Sequence, residues 1–264
     1  MISAHNIIGA LLIITLISCT QTDKIPSSHP SDSTQLDFAI KHTKHEGYIM
    51  PGLDHGFEQS PININTTDSS SQNTHKITLY FKDDINKIEN LGHTVQLDFQ
   101  EGSSITYDDT VFTFKQCHFH TPSEHLIDGV TFPMEMHIVN VLATAPKDKP
   151  QYLVIGVLFK EGKENAFIKD FLNLIPKETD SIKQVHTGTI KLSDLFEKIP
   201  KELKGNYYNY LGSLTTPPYT ESVRWFITKH IFEASAAQIE AMNAIEGNNA
   251  RHVQALYRRT VESK

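Results

Sequence analysis

Three histidines have the spacing of a metal site. His118 and His120 lie two residues apart in the segment Gln-Cys-His-Phe-His, and His137 follows in a second apolar stretch, residues 134–139. Side chains alternate along a β-strand, so His118 and His120 point to the same face of a strand. Two strands joined by a short connection lie side by side, and the three imidazoles can then converge. Three neutral nitrogen ligands with a fourth position open are the ligand set of a catalytic zinc ion.

Two hydrogen-bond acceptors accompany these histidines. Gln116 stands two residues before His118, and Glu135 stands two residues before His137, so each acceptor shares a face with a histidine. Metal-bound histidines usually donate their second ring N–H to such an oxygen, which fixes the tautomer. A chain with 14 histidines can place two of them at this spacing by chance. The third histidine and the two acceptors favour a metal site over that alternative.

Five segments follow one another in a recognisable order. They are residues 59–64 (Gln-Ser-Pro-Ile-Asn-Ile), residues 116–120, residues 123–129, residues 134–137, and residues 210–218 with Glu221 and Trp225 behind them. In this order they resemble the motifs of the alpha-class carbonic anhydrases. The matched part covers about residues 45 to 230, and residues 1–40 lie outside it. Five motifs in family order are far more specific than any one of them.

The resemblance implies a fold and a reaction. The fold is α+β and β-dominated, with a large, mostly antiparallel twisted sheet of about ten strands, short peripheral helices and zinc in a conical cleft. The reaction is reversible hydration of carbon dioxide to bicarbonate and a proton, through hydroxide generated at Zn²⁺, with weak ester hydrolysis as a side activity. Sulfonamides and anions are the expected inhibitors of such a zinc lyase.

The resemblance also assigns roles to residues around the metal. Thr215 orients the attacking hydroxide and donates its proton to Glu124, which when ionised can only accept. His93 matches the proton shuttle, a task that suits an imidazole titrating near neutrality. His125 is expected to be structural. The remaining matches are a substrate pocket of Val139, Val154, Leu214, Thr216 and Trp225, and a water network of Tyr48, Asn90 and Gln96.

Two other classes of protein stay open at this point. One is a catalytically inactive relative that acts as a surface binding module, although such relatives usually lose one or more zinc histidines. The other is a different zinc hydrolase, such as an esterase, although the sequence contains no His-Glu-x-x-His motif.

The composition fits one large globular domain. The chain has 264 residues, of which 39% are hydrophobic, and a formal net charge of −7. This charge argues against a nucleic-acid partner. We expect the catalytic domain to cover residues 41–264, and the sequence leaves the oligomeric state open, including a homodimer.

The N-terminal residues predict export. Residues 7–17 are apolar apart from Thr15, are too short to span a bilayer stably, and are followed by Ser18-Cys19, which resembles a bacterial lipobox. We expect a signal peptide over residues 1–18, then a lipidated Cys19 and a polar tether over residues 19–40. The enzyme is thus expected in the periplasm on the outer membrane, held by its lipid anchor only. An ordinary signal peptide with a chance cysteine is the alternative, and the first six residues contain no Lys or Arg.

The hydrophobic periodicity predicts the main elements. Strands are expected at residues 76–81, 93–99, 111–120, 134–142, 152–159 and 223–228, and helices at residues 164–174, 192–196 and 236–245. Cys117 alternates with the histidines and is expected to be a buried hydrophobe on the opposite face. If Cys19 is lipidated, no disulfide can form, because the chain has two cysteines.

Overall fold

The computed structural model describes residues 56–70, 75–82 and 85–264. Cys19 and Tyr48 lie outside these residues, as do the expected signal peptide and tether. The expected limits of the three segments of the chain therefore stay predictions.

Most of the described chain forms β-structure. The strands are β1 (Asn63–Ile64), β2 (Ile77–Tyr80), β3 (Ile85–Asn90), β4 (Val95–Phe99), β5 (Ser104–Tyr107), β6 (Thr110–His120), β7 (Leu126–Ile127), β8 (Val130–Thr131), β9 (Met134–Leu142), β10 (Tyr152–Glu161), β11 (Ser181–Gln184), β12 (Tyr207–Gly212), β13 (Val223–Thr228), β14 (Phe232–Ala234) and β15 (Glu262–Ser263). All six predicted strands are confirmed, with ends that differ by two residues or fewer.

One large mixed sheet dominates the described residues. It has 12 strands, with the main order β11-β3-β4-β6-β9-β10-β13-β12-β15, while β5 joins β6, β2 joins β5 and β14 joins β10. Its pairings are antiparallel except for β10 with β13 and β10 with β14. The expected β-dominated fold is confirmed, with 12 strands rather than about ten. A second sheet holds β1, β7 and β8.

Short helices lie at the periphery of the sheet. They are α1 (Ala166–Leu172), α2 (Leu192–Glu197) and α3 (Ala236–Glu246), each within two residues of its prediction. Helix α3 begins at Ser235, whose side chain accepts from Gln238 N at 3.3 Å while Gln238 Oε1 accepts from Ser235 N at 3.1 Å. This capping box satisfies two backbone donors that the first turn would otherwise leave unpaired. None of the described helices is long and apolar enough to cross a membrane.

An irregularity in β6 sets the direction of the histidines. The pairing of β6 with β9 shifts register between Phe114 and Gln116. The same buried cluster contains two residues before the shift, Phe112 and Phe114, and two residues after it, Cys117 and Phe119. An extra residue in a strand reverses the alternation beyond it. The bulge therefore keeps the aromatic side chains in the core and turns the even-numbered residues after it to the other face.

Each face of the sheet is covered by its own apolar cluster. Ile155 and Phe226 belong to the larger cluster, whereas their chain neighbours Val154 and Trp225 belong to the smaller one. Fully burying such an aliphatic or aromatic side chain contributes about 1.5–3 kcal/mol. The strands that carry the candidate site are thus held from both sides.

Candidate active site

The pairing of β6 with β9 brings the three histidines together. His118 lies directly opposite His137 in the antiparallel register, and His120 lies opposite Glu135. The ring centroids are 5.1 Å apart for His118 and His120, 5.3 Å for His118 and His137, and 4.5 Å for His120 and His137. One nitrogen from each ring lies within 4.8 Å of the other two. The three rings can therefore hold one metal ion.

The remaining ring nitrogens show which atoms face that point. Nδ1 of His118 is 2.8 Å from Oε1 of Gln116, and Nε2 of His137 is 2.9 Å from Oε1 of Glu135. This leaves Nε2 of His118 and Nδ1 of His137 for a ligand. Both nitrogens of His120 are buried without a hydrogen bond of ordinary geometry to any described residue.

The protonation of these rings suits metal binding. Burial lowers the pKa of all three histidines, and the pKa of His118 falls to about 3. A neutral imidazole is the form that binds a metal. The donor set, its neutrality and the ring nitrogens of His120, which form no hydrogen bond of ordinary geometry with a described residue, thus fit zinc.

Glu135 is fully engaged beneath the histidines. Oε1 lies 2.7 Å from Nδ1 of His125 and 2.9 Å from Nε2 of His137. Oε2 accepts from the backbone N–H groups of Glu124 and His125 at 2.9 and 2.8 Å. Burial alone would raise the pKa of Glu135, but the two imidazoles and their hydrogen bonds hold it well below its ordinary value. The carboxylate is therefore charged, with four donors around it.

His125 joins this carboxylate to the segment that carries the Gln-Ser-Pro motif. Nε2 of His125 is 2.6 Å from the Tyr210 hydroxyl, which is 3.0 Å from Oγ of Ser60. Ser60 Oγ accepts from Ser213 N at 3.1 Å, and Ser213 Oγ accepts from Ser60 N at 2.9 Å. These bonds are all buried, and they give His125 the structural place that the sequence suggested.

Glu124 and Thr215 are buried beside the histidines. Oε1 of Glu124 accepts from the backbone N–H of Arg251 at 2.8 Å. Burial raises the pKa of Glu124 well above its ordinary value, while the Arg251 N–H and the Thr215 hydroxyl lower it. Oε2 of Glu124 forms no hydrogen bond of ordinary geometry with a described residue. Thr215 is thus close enough to act on this carboxyl, through a contact longer or less direct than a regular hydrogen bond.

An apolar wall adjoins the histidines. Val139 on β9 pairs with Val154 on β10, which pairs with Trp225 on β13. The Trp225 ring centroid is 4.7 Å from that of His137. Leu214 packs at the edge of the same cluster, partly buried, and Thr216 beside it is exposed.

His93 lies on the histidine side of the sheet. Its side chain is exposed, its Nδ1 is 2.9 Å from the Leu91 carbonyl oxygen, and its charge is among the influences that lower the pKa of His118. Gln96 on β4 pairs with His118 and donates to Asp98 Oδ1 at 2.7 Å.

The side-chain amide of Asn90 forms hydrogen bonds with the surrounding backbone. Its Oδ1 accepts from Gly92 N at 2.9 Å, and its Nδ2 donates to the Pro176 carbonyl at 2.8 Å. Asn90 is 4% exposed. The contacts of this side chain in the described residues thus stabilise the turn before His93, and none of its hydrogen bonds goes to a residue of the expected water network.

The segment after α3 contributes residues that sequence reasoning missed. Asn249 Oδ1 accepts from Thr121 N at 3.0 Å, and its Nδ2 donates to the carbonyls of His93 at 2.7 Å and Phe119 at 3.1 Å. Asn249 thus connects the end of β6 to His93, two residues before β4. Arg251, which supplies the N–H to Glu124, also donates from Nη1 to Gln59 Oε1 at 3.0 Å. In the sequence, the only local indication that Asn249 and Arg251 matter is their position just after the glycine that ends α3.

A β-sheet that carries three neutral histidines beside an apolar wall, with His120 and His137 buried and His118 partly buried, defines a metal-dependent enzyme site. Comparison with known proteins identifies the family. Residues 48–264 match the family described as eukaryotic-type carbonic anhydrase. The carbonic anhydrase of Neisseria gonorrhoeae is 38% identical over 211 residues, 78% of this chain and 77% of that protein. The carbonic anhydrase of Pectobacterium carotovorum is 32% identical over 256 residues, 96% of each chain.

A solved structure shows the same fold. The alpha-carbonic anhydrase of Thermovibrio ammonificans, in complex with the inhibitor sulfanilamide, has a TM-score of 0.70 and 34% identity, covering 78% of this chain and 87% of that one. The chain therefore belongs to the alpha, or eukaryotic-type, carbonic anhydrase family. It is a carbonic anhydrase enzyme, and its family is zinc-dependent.

Proposed function

We propose that this chain hydrates carbon dioxide reversibly at a zinc ion held by His118 Nε2, His137 Nδ1 and a ring nitrogen of His120. The observation that carries the proposal is the convergence of three neutral rings, of which two are buried and one is partly buried, and two are already bonded through their second nitrogen. Zinc, when bound, supplies a Lewis acid that makes water a nucleophile at neutral pH, chemistry for which carbonic anhydrase is the standard example.

The chain keeps this centre strongly acidic by limiting the negative charge on its ligands. Gln116 is a neutral acceptor for His118. Glu135 is charged, but it divides its lone pairs among four donors, of which His137 is only one. Glu135 can thus orient the ring of His137 while transferring less charge to it than a singly bonded carboxylate would.

Thr215 and Glu124 orient the nucleophile in this proposal. The Arg251 N–H occupies Oε1 of Glu124, so Oε2 is the oxygen left to accept the Thr215 proton. Thr215 then offers only a lone pair to the attacking water, which fixes the direction of attack. A cation held by the three rings would oppose the effect of burial and favour the ionised form of Glu124.

The neighbouring surfaces suit substrate and product. Carbon dioxide has no net dipole, and Val139, Val154, Leu214 and Trp225 offer it an apolar wall. The one side-chain donor of this wall, the Trp225 indole N–H, is already bonded to the Ser213 carbonyl at 3.0 Å. Thr216 stands at the exposed end of this wall, where bicarbonate would leave. We expect sulfonamides to bind at the same place, as sulfanilamide does to the Thermovibrio ammonificans enzyme.

His93 exports the proton in this proposal. The contact of Nδ1 with the Leu91 carbonyl leaves Nε2 to exchange protons between the site and solvent. His93→Ala should lower kcat in dilute buffer, leave kcat/KM nearly unchanged and respond to added imidazole, because the proton step follows attack on carbon dioxide. Unchanged kcat in dilute buffer would exclude the shuttle role.

The test of the proposed function is zinc content together with carbon dioxide hydration. Thr215→Ala should keep zinc and lose about 10²-fold or more in kcat, because one lost orienting hydrogen bond in such sites costs roughly 3 kcal/mol. Thr220→Ala, an exposed change five residues away, is the matched control and should behave as wild type. Near-wild-type hydration by Thr215→Ala would contradict the role given to Thr215 and Glu124.

We also propose export to the periplasm and lipid anchoring through Cys19, on the strength of the apolar run and lipobox-like segment. Cells that express the full chain should hold it in the membrane fraction, and Cys19→Ala should release it. Equal distribution of the two proteins would show that Cys19 is not an anchor.

A further inference from the structure

Three exposed apolar side chains gather at one place on the surface. Phe57, Leu211 and Tyr257 are 72%, 45% and 62% exposed, and they line one cleft of about 850 Å³. The rings of Phe57 and Tyr257 meet edge to face with centroids 5.3 Å apart. We call these three residues the aromatic rim. Exposed apolar side chains that cluster in this way mark interaction sites more often than scattered ones do.

The backbone around the rim holds these side chains outward. Tyr257 has φ of +51°, a left-handed conformation that costs a non-glycine residue about 1–3 kcal/mol. The Arg259 guanidinium fixes this turn by donating to the carbonyls of Ala255, Leu256 and Leu211 at 2.8, 3.1 and 3.0 Å. Burial of the Tyr257 side chain does not offset this backbone strain, because the side chain is exposed. The strained conformation therefore points to a function of Tyr257 at the surface.

The opposite side of the rim is equally fixed. The backbone N–H of Glu58, next to Phe57, donates to Glu221 Oε1 at 2.8 Å, and Gln59 Nε2 donates to the same oxygen at 2.9 Å. Phe57 is therefore held close to the loop that carries Thr215 by the bonds of the two residues that follow it.

The charges at the rim favour anionic groups. Arg224, Arg258 and Arg259 line the cleft, and the acids that line it are Glu58 and Glu262. Glu262 is engaged inside the cleft, since its Oε2 accepts from Asn209 Nδ2 at 3.1 Å and lies 3.5 Å from His75 Nε2. Arg258 is exposed beside Tyr257. The two aromatic rings of the rim thus lie beside the accessible guanidinium of Arg258.

The chain before the first described residue, Gly56, contains the apolar run of residues 7–17 and Cys19, and it joins the described residues next to Phe57.

We propose that the aromatic rim docks on the surface of a phospholipid membrane, with Phe57 and Tyr257 at the level of the headgroups and Arg258 against lipid phosphate. Amphipathic rings and basic side chains are the groups that favour this interface. The proposal builds on the proposed lipid anchor. Three side chains are few for a stable dimer, which buries about 800 Å² per partner, whereas an anchored domain needs only a weak second contact.

The test uses the full chain with Cys19→Ser, so that acylation plays no part and the N-terminal residues are the same in every variant. Flotation with phosphatidylcholine vesicles, with and without phosphatidylglycerol, measures binding. The double change Phe57→Ser and Tyr257→Ser should weaken binding to both vesicles by about tenfold or more. Tyr80→Ser is the matched control, because Tyr80 is 58% exposed on β2 and does not line the cleft.

The charge is tested separately. Arg258→Glu should lower binding to vesicles with phosphatidylglycerol by about fivefold or more and leave binding to phosphatidylcholine nearly unchanged. Lys183→Glu, an exposed change on β11, is its control. Zinc content and hydration rate, unchanged in all variants, verify folding.

Two results would overturn the proposal. One is equal vesicle binding by the double variant and Tyr80→Ser. The other is a change in sedimentation mass for the double variant with unchanged vesicle binding, which would assign the rim to a second copy of the chain. Since Cys19 is already replaced, neither result depends on whether it is lipidated.

Discussion

The two faces of strands β9 and β10 are built from alternate residues of the same segments, yet they bury different chemistry. On one face Met136, Ile138 and Ile155 join the larger apolar cluster. On the other face Glu135 and His137 stand among buried polar groups, with Val139 and Val154 beyond them. The first face needs only side chains of suitable size, whereas every polar atom of the second face needs a partner in a defined direction.

The difference shows what each face requires from the rest of the chain. The core face is completed by any apolar side chains that fill the space. The polar face depends on single donors from distant segments, such as the N–H groups of Glu124 and His125 that reach Glu135. The polar face also requires a residue without a side chain at Gly156, because a Cβ there would lie 3.0 Å from Glu135 Oε1 and 2.5 Å from Ile227 Cδ1.

The largest contrast should appear between adjacent residues of β6. His120→Ala should lose both bound zinc and hydration activity, since two histidines cannot complete the ligand set. Phe119→Leu, which points to the core face, should keep both and lose about 1–3 kcal/mol of unfolding free energy. Metal analysis and urea unfolding of the two proteins provide the comparison. Full zinc occupancy in His120→Ala would remove the basis for assigning chemistry to one face.

A smaller loss should follow from changing the support rather than the ligand. Glu135→Gln replaces an acceptor of four hydrogen bonds with an amide whose NH₂ group meets donors. Zinc affinity should fall by about 10- to 100-fold, as for other residues that orient metal ligands. Competition with a chelator measures this change. Affinity within a factor of two of wild type would mean that the orientation of His137 does not depend on Glu135.

Neighbouring residues of β10 should separate stability from catalysis. Ile155→Ala leaves a cavity in the larger cluster and should cost about 2–5 kcal/mol of unfolding free energy with kcat/KM unchanged. Val154→Ala removes less volume but alters the apolar wall, so it should change kcat/KM more and stability less. Denaturant unfolding and hydration kinetics should both be measured on the two variants. A kinetic defect confined to Ile155→Ala would show that the two faces do not act separately.

The most subtle test compares two buried carboxyl groups. Unlike Glu135, Glu246 accepts from just two donors among the described residues, Val95 N at 3.2 Å and Thr121 Oγ1 at 3.4 Å, and burial raises its pKa to about 8. A raised pKa means that the folded state favours the protonated form, so this contribution to stability is complete below about pH 4.5 and is lost as pH rises to 8. Wild type should therefore lose stability relative to Glu246→Gln between pH 5 and pH 8 in urea unfolding. A difference between the two proteins that does not change with pH would contradict the raised pKa.

The parts of this molecule that depend on local alternation could be predicted from sequence. The strands that carry His118, His120 and His137 follow from period-two patterns, and so does the placement of Gln116 and Glu135 on the same faces. Strand β3 was missed because Ile85 and Ile88 are three residues apart, a spacing typical of a helix. Its pairing with β4 and β11 determines its structure.

The parts that depend on contacts between distant segments could not be predicted. Arg251 reaches Glu124 across 127 positions through a backbone N–H, which any residue type except proline could supply. The motif places Asn90 in a water network, which stays a prediction, while the bonds of its amide to the backbone of Gly92 and Pro176 could not be read from that motif. Motif matching identifies a residue type at a position, whereas the neighbouring backbone decides which bonds that side chain makes.

The register that sets His118 opposite His137 has a consequence for the lifetime of the folded chain. An ion bound by both residues would cross-link two strands on either side of the β7–β8 hairpin. Such an ion would bind the folded state and leave the unfolded chain, so its contribution to stability would grow with the concentration of free zinc, unlike that of a disulfide, which persists on unfolding. The one cysteine among the described residues, Cys117, is free. Zinc would therefore stabilise the folded state through its binding free energy, where the described residues contain no disulfide, and zinc supply would determine how long the enzyme resists unfolding and proteolysis.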